Sequence, residues 1–239
     1  MSGVIAAAAP LALFGDLEGD LWGVIVGGEQ PRAAVGRLGD ADLDLRPAEL
    51  DAAEDDIWTL LGAGCDLRVE RADATTAGAE EERLPLEPCR VSGSVEVGGN
   101  RRELDIGGVR SDGLNAAGHD SLRLFAAWFP AGHEIAMIAA RPAGAKGHDR
   151  DTIGVIARGE EHPLVLDPRL STTYDGAGIP RRIGLELWLG DDPESDLWPR
   201  RVAGAATGSR VSGMGLSAHA FDCVSRGEPG AGVYALLRL

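Results

Sequence analysis

From about residue 89 onward, apolar and polar residues trade places almost one by one, and that two-residue rhythm confines the chain to extended strands. "CRVSGSVEV" (89–97), the turn "GGN" and "RRELDIGG" (101–108) spell a hairpin, as do "SLRLFAAWF" (121–129), "PAGH" and "EIAMIAARP" (134–142). "TIGVIAR" (152–158), "GEEH" and "PLVLD" (163–167) predict a third hairpin. Strands follow at 182–189, 200–211, 215–227 and 232–239. In the first half, 20–28 reads as a strand ending at Gly27-Gly28, and 33–39 and 41–47 as two short ones. Residues 57–62 and 65–73 read as a strand pair split by Gly62-Ala63-Gly64. One helix is predicted, over 46–56, where Pro47 suits a first helical position and acids crowd the segment. Residues 74–88, polar and broken by two prolines, read as a junction. Many short strands with glycine-rich turns mean a sandwich or a barrel. The expected architecture is all-β: two packed halves with one short helix, an acidic β domain over 1–82 and a β-barrel over 83–239.

Charge narrows the partners. Residues 1–120 carry 24 acids and 10 bases, whereas 121–239 carry 14 and 13. Such an acidic surface repels nucleic-acid phosphates and anionic lipid. Lys146 is the single lysine among 23 bases, which reads as the codon usage of a GC-rich bacterium and weakens any argument built on arginine alone. Cys65, Cys89 and Cys223 have no CxxC spacing, so neither a disulfide framework nor a zinc site is expected, and reduced cytoplasmic thiols are. No basic residue precedes Arg32, against a signal peptide, and no apolar run reaches the length of a membrane span.

The familiar catalytic signatures are missing. "GLSAH" (215–219) lacks the second glycine of a nucleophile elbow, so Ser217 and His219 on one strand face read as coincidence. The loop 146–154 gathers His148, Asp149, Arg150 and Asp151, too few convergent ligands for a metal, and no cofactor motif is present.

The strand 182–189 offers a candidate site. Ile183, Leu185, Leu187 and Leu189 form one face; Arg182, Gly184, Glu186 and Trp188 form the other. Arg182 and Glu186 stand about 13 Å apart with the space over Gly184 open between them. This face is expected to line a cavity shared with Arg123 and Trp128. Arg123, on the aromatic side of its strand, calls for a carboxylate, with Glu186, Asp112 and Asp175 as candidates.

The order "VSGSVEVGGNRRELDIGGVRSD", a Trp-bearing strand, "TIGVIARGEEHPLVLD" and "TYDGAGIP" over roughly 85–190 resembles the carotenoid hydratase (hydroxyneurosporene synthase) and AttH-like family. That resemblance implies two lipocalin-like β-barrels. It also implies acid-catalysed addition of water to an isoprenoid double bond, cyclisation of polyketide-like substrates, or lipid binding alone. The family follows its glycine-rich strand with Arg-Asp-His-Ser-Trp-Gly. Here Arg110 matches, Asp112 is shifted by one, and the His and Trp are absent.

The expected function is therefore binding of an apolar small molecule, isoprenoid- or polyketide-like, with hydration, cyclisation or isomerisation as the candidate chemistry. Such chemistry needs a proton donor. Asp112, His119 and Asp175 are the candidate acids, Arg110 and Arg123 the polar anchors, and Trp128 and Trp188 the rings that would shield a cation. A carrier without chemistry is one alternative. Another is an assembly partner whose acidic half docks a basic protein.

Overall fold

The computed structural model describes residues 9–16, 20–54, 56–72, 84–112, 118–148, 151–158, 165–189 and 200–239. Within them the chain forms seventeen strands and one 3₁₀ turn, Pro130–Gly132. They are β1 (Leu11–Asp16), β2 (Leu21–Val26), β3 (Arg32–Arg37), β4 (Asp42–Leu43), β5 (Arg46–Glu54), β6 (Ile57–Gly62), β7 (Cys65–Arg71), β8 (Glu87–Val97) and β9 (Asn100–Ser111). The second half holds β10 (His119–Trp128), β11 (Glu134–Pro142), β12 (Thr152–Arg158), β13 (Val165–Tyr174), β14 (Pro180–Leu189), β15 (Arg200–Gly213), β16 (Leu216–Ser225) and β17 (Glu228–Arg238). No described helix is long and apolar enough to cross a membrane.

The first eight-stranded sheet closes completely, in the order β1-β2-β3-β5-β6-β7-β8-β9, with Leu11 to Phe14 pairing back on Ser111 to Gly108. The sequence placed the domain boundary at 82/83; β8 and β9 belong to the first barrel, so the boundary falls after Ser111 instead. A barrel with its β8–β9 hairpin removed would leave β1 and β7 as open edges. The predicted helix over 46–56 is also corrected. It is β5, whose Ala48 and Leu50 face the barrel core while Glu49 and Asp51 face solvent. The two-residue period was there, masked by the acids, and the ladder to β6 decides the conformation. In β8, Gly93 sits at φ +122°, and a Cβ there would lie 2.2 Å from the Asp66 carbonyl oxygen, so this approach of β7 to β8 requires glycine.

The second sheet runs β12-β11-β10-β17-β16-β15-β14-β13. The third expected hairpin is corrected: β12 pairs β11, β13 pairs β14, and no ladder joins β12 to β13 among the described residues. Val155 of β12 and Val165 of β13 still share one core with Phe125, Leu185 and Phe221, so the sheet curls into a second barrel.

Strand β10 explains how the barrels join. Leu122, Leu124, Ala126 and Trp128 meet Leu13, Trp22, Val24 and Val109 of the first barrel, while Phe125, Ala127 and Phe129 fill the second. Burial on both faces is why "LRLFAAWF" loses its alternation. At roughly 1.5–3 kcal/mol per fully buried aliphatic side chain, this interface holds the barrels together. Two polar ties cross it. Trp22 Nε1 donates to Ser209 Oγ at 2.8 Å, and Ser209 Oγ donates to the Arg37 carbonyl at 3.0 Å. β4 adds to β15 in parallel, with Arg210 on Asp42.

Candidate functional site

Inner-face residues of the second barrel are fixed by strand parity. They are the odd positions of β10 and β16, and the even ones of β17. At one end of this barrel β13, β16 and β17 bring Tyr174, Ser217, His219, Tyr234, Leu236 and Arg238 around a cleft of about 270 Å³. Gly178, in the turn before β14, and Pro180, the first residue of β14, also line it. Phe221, next along the inner face of β16, and Phe125, paired with Tyr234, are fully buried behind it. The chain's two tyrosines meet here, hydroxyl to hydroxyl at 2.9 Å. Burial pushes the Tyr234 phenol well above its ordinary value, and its bond with Tyr174 adds to this. Ser217 Oγ and His219 Nε2 share a hydrogen bond of 2.8 Å. Burial, then the Arg210 and Arg181 guanidinium groups, push His219 down to about 4, so its imidazole is neutral at physiological pH.

That depression makes stability pH-dependent. A histidine that titrates near 6.5 when unfolded takes its proton before the folded one does. Its contribution is fully present above about 6.5 and fades as pH falls toward 4. We expect the wild type to lose about 1–2 kcal/mol by pH 5 through this group. His219→Gln should remove that part of the slope in urea melts at pH 7.5 and 5.0, and an unchanged slope would assign it elsewhere.

The sequence-predicted residues do not converge. Arg110 is fully buried in the first barrel, 4.6 Å over the Trp58 ring. It donates to the Asp56 carbonyl at 3.1 Å and pairs with Asp112 at 3.0 Å. Arg71 ties Asp56, Glu87 and Asp112 into the same cluster, so Asp112 is an ion-pair partner there. Asp175 accepts from the Ile179 and Ala177 amides and pairs with Arg181. The Ile179 N–H first, then Ala177 and Arg181, hold its carboxyl below the usual range. It organises the turn bearing Gly178. His119 opens β10 opposite Pro142 and is half-buried.

The β14 face is corrected as well. Ile183, Leu185 and Leu187 fill the second barrel, and the other face points outward: Arg182 is exposed, Gly184 meets Ser171, and Glu186 pairs with Arg201 at 2.9 Å. Trp188 is half-buried on the same face, opposite Asp167. Trp128 lies between the barrels, its ring over Gly15 and Gly107, donating from Nε1 to buried Glu134 at 3.0 Å. Arg123 alone of the proposed cavity group faces the second barrel, beside Leu236. Its partner is none of the three expected acids but Asp151, at 2.9 Å, and the two side chains are 8% and 1% exposed. His148 Nδ1 lies 3.0 Å from the same carboxylate oxygen. Asp149 and Arg150 of that loop, and Asp149's part in the metal argument, lie outside the described residues.

A second cleft, about 340 Å³, lies among hairpin ends of the first barrel, lined by residues including Cys65, Asp66, Glu96 and Arg101. Burial raises the Cys65 thiol to about 11, which makes it a poor nucleophile. Cys89 and Cys223 are likewise buried thiols.

No sequence-family description matches this chain, and no curated protein does. Solved structures do. CghA in complex with Sch210972 superposes with a TM-score of 0.60 at 11% identity, covering 98% of this chain and 89% of that one. CghA in a second structure gives 0.61 at 11% identity over 98% and 88%. An AttH candidate from Nitrosomonas europaea gives 0.52 at 8% identity over 96% and 92%. The chain therefore has the all-β, two-barrel, lipocalin-like fold of the AttH type.

Proposed function

We propose that the mouth of the second barrel binds a small, mostly apolar molecule, and that the first barrel serves as its scaffold. The observation behind this is the cleft itself, where Leu216, Leu236 and Pro180 supply apolar wall and two hydroxyl-bearing pairs supply convergent polar groups. The first barrel's interior, by contrast, is filled by Phe14, Trp58, Leu60 and Leu67.

Isoprenoid- and polyketide-like molecules are the ligand classes implied by the family resemblance of residues 85–190. Acid-catalysed hydration is the least supported chemistry. No carboxylate lines the cleft among the described residues, and a neutral His219 is a weak proton donor to an alkene. A carrier, or a catalyst that works by holding a folded substrate against hydrogen-bond donors, fits the lining better.

Ser217→Phe should fill the cleft and weaken an apolar naphthalene probe at least roughly tenfold, the scale of 1.4 kcal/mol. Glu96→Phe, in the first barrel's cleft, should leave it unchanged. The reverse pattern in fluorescence titrations would move the site to the first barrel. Product analysis after incubation with candidate isoprenoids and polyketides then separates catalyst from carrier.

A further inference from the structure

The lining of the second-barrel cleft is one-sided in charge. This chain has 38 acids against 23 lysines and arginines, and the first-barrel cleft carries Asp66 and Glu96 beside Arg101. Among the described residues that line the second-barrel cleft there is no acid, and one cation, Arg238. Arg238 shares the inner face of β17 with Tyr234 and Leu236, is exposed at the rim, and has no ion pair among the described residues. The neighbouring arginines differ: Arg181 is matched by Asp175 and Arg210 by Asp42.

The neutral groups lean the same way. Tyr174 and Tyr234 have two hydroxyl protons and use one in their mutual bond. Ser217 and a neutral His219 have one O–H and one N–H, and again one suffices for the bond between them. Each pair can therefore offer a further donor. A cationic or strongly donating ligand would find no charge to answer it.

We propose that the cleft selects an amphipathic monoanion, a carboxylate or sulfonate on an apolar body, with the head group beside Arg238 and the two hydroxyl pairs. This rests on the binding reading above and names its ligand class. The body lies along Leu216, Leu236 and Pro180. A cavity of about 150 Å³ accepts benzene, so about 270 Å³ suits a body of roughly eight to ten carbons rather than a long acyl chain.

Calorimetric titration of the full chain with octanoate, octanol and octylamine tests this. Octanoate should bind roughly tenfold or more tightly than octanol, the scale of one charge-assisted hydrogen bond, and octylamine most weakly. Arg238→Gln, on an exposed rim position, should erase the octanoate advantage and leave octanol unchanged. Octanol binding as well as octanoate, or an octanoate advantage that survives Arg238→Gln, overturns the anion assignment while the binding site stands. If none of the three binds, both the assignment and the site fail.

Discussion

Arg123→Met should destabilise the protein by about 3–5 kcal/mol, because it leaves the Asp151 carboxylate, only 1% exposed, without its cation. The half-exposed His148 would remain beside it, at 3.0 Å. Adding Asp151→Leu to Arg123→Met should return most of the loss, since an ion pair replaced on both sides by apolar groups is often neutral or stabilising. Urea melts of both single variants and the double variant form the cycle. A loss below about 1 kcal/mol in Arg123→Met, without recovery in the double variant, would mean that Arg123 is solvated and that the second barrel's interior is wetter than drawn.

Trp22→Ala should cost a similar amount, about 3–5 kcal/mol, the usual range for truncating a buried aromatic. Trp22 is wholly buried at the junction of the barrels and spends its N–H on Ser209. Trp22→Phe should cost less. Ser209 Oγ still donates to the Arg37 carbonyl, so the hydroxyl is not orphaned by that change. If the two substitutions cost the same, the hydrogen bond rather than the ring is what matters. If neither costs more than about 1 kcal/mol, Trp22 is not part of the junction.

The hairpins 89–108 and 121–142 were legible because each had a turn and flanks of strand character. β5 was misread because its inward side chains are only Ala48 and Leu50, a weak apolar signal among acids. β1 lay hidden in the apolar opening segment, since a strand buried on every side shows no alternation. The domain boundary was misplaced because proline and charge at 74–88 mark a loop, and a loop inside a barrel carries the same residues as one between domains. On β14, the aliphatic face already identified the core, which left the Arg–Gly–Glu–Trp face outside. The cleft could not be found by spacing. Its residues come from between positions 174 and 180, 215 and 219, and 234 and 238, and only the sheet order β17-β16-β15-β14-β13 and its curl unite them. One signal was available: a chain with just two tyrosines places both at this site.

The irregularity in β15 has a consequence for how this gene can change. Between Ala206, opposite Phe221, and Arg210, opposite His219, three residues of β15 face the single residue Ala220. The surplus is two, so the alternation of faces is preserved: Val202 and Ala206 look into the second barrel before it, and Arg210 beside His219 after it. Gly208, at φ +100°, makes the detour, and Ser209 emerges pointing at Trp22. Deleting or inserting one codon there would exchange every later face of the strand. Val211 would turn from the barrel junction to the cleft, and the Arg210 side chain would enter the apolar junction. Length variation among descendants of this sequence should therefore appear at 207–209 only in steps of two, while single-residue changes collect in the turns.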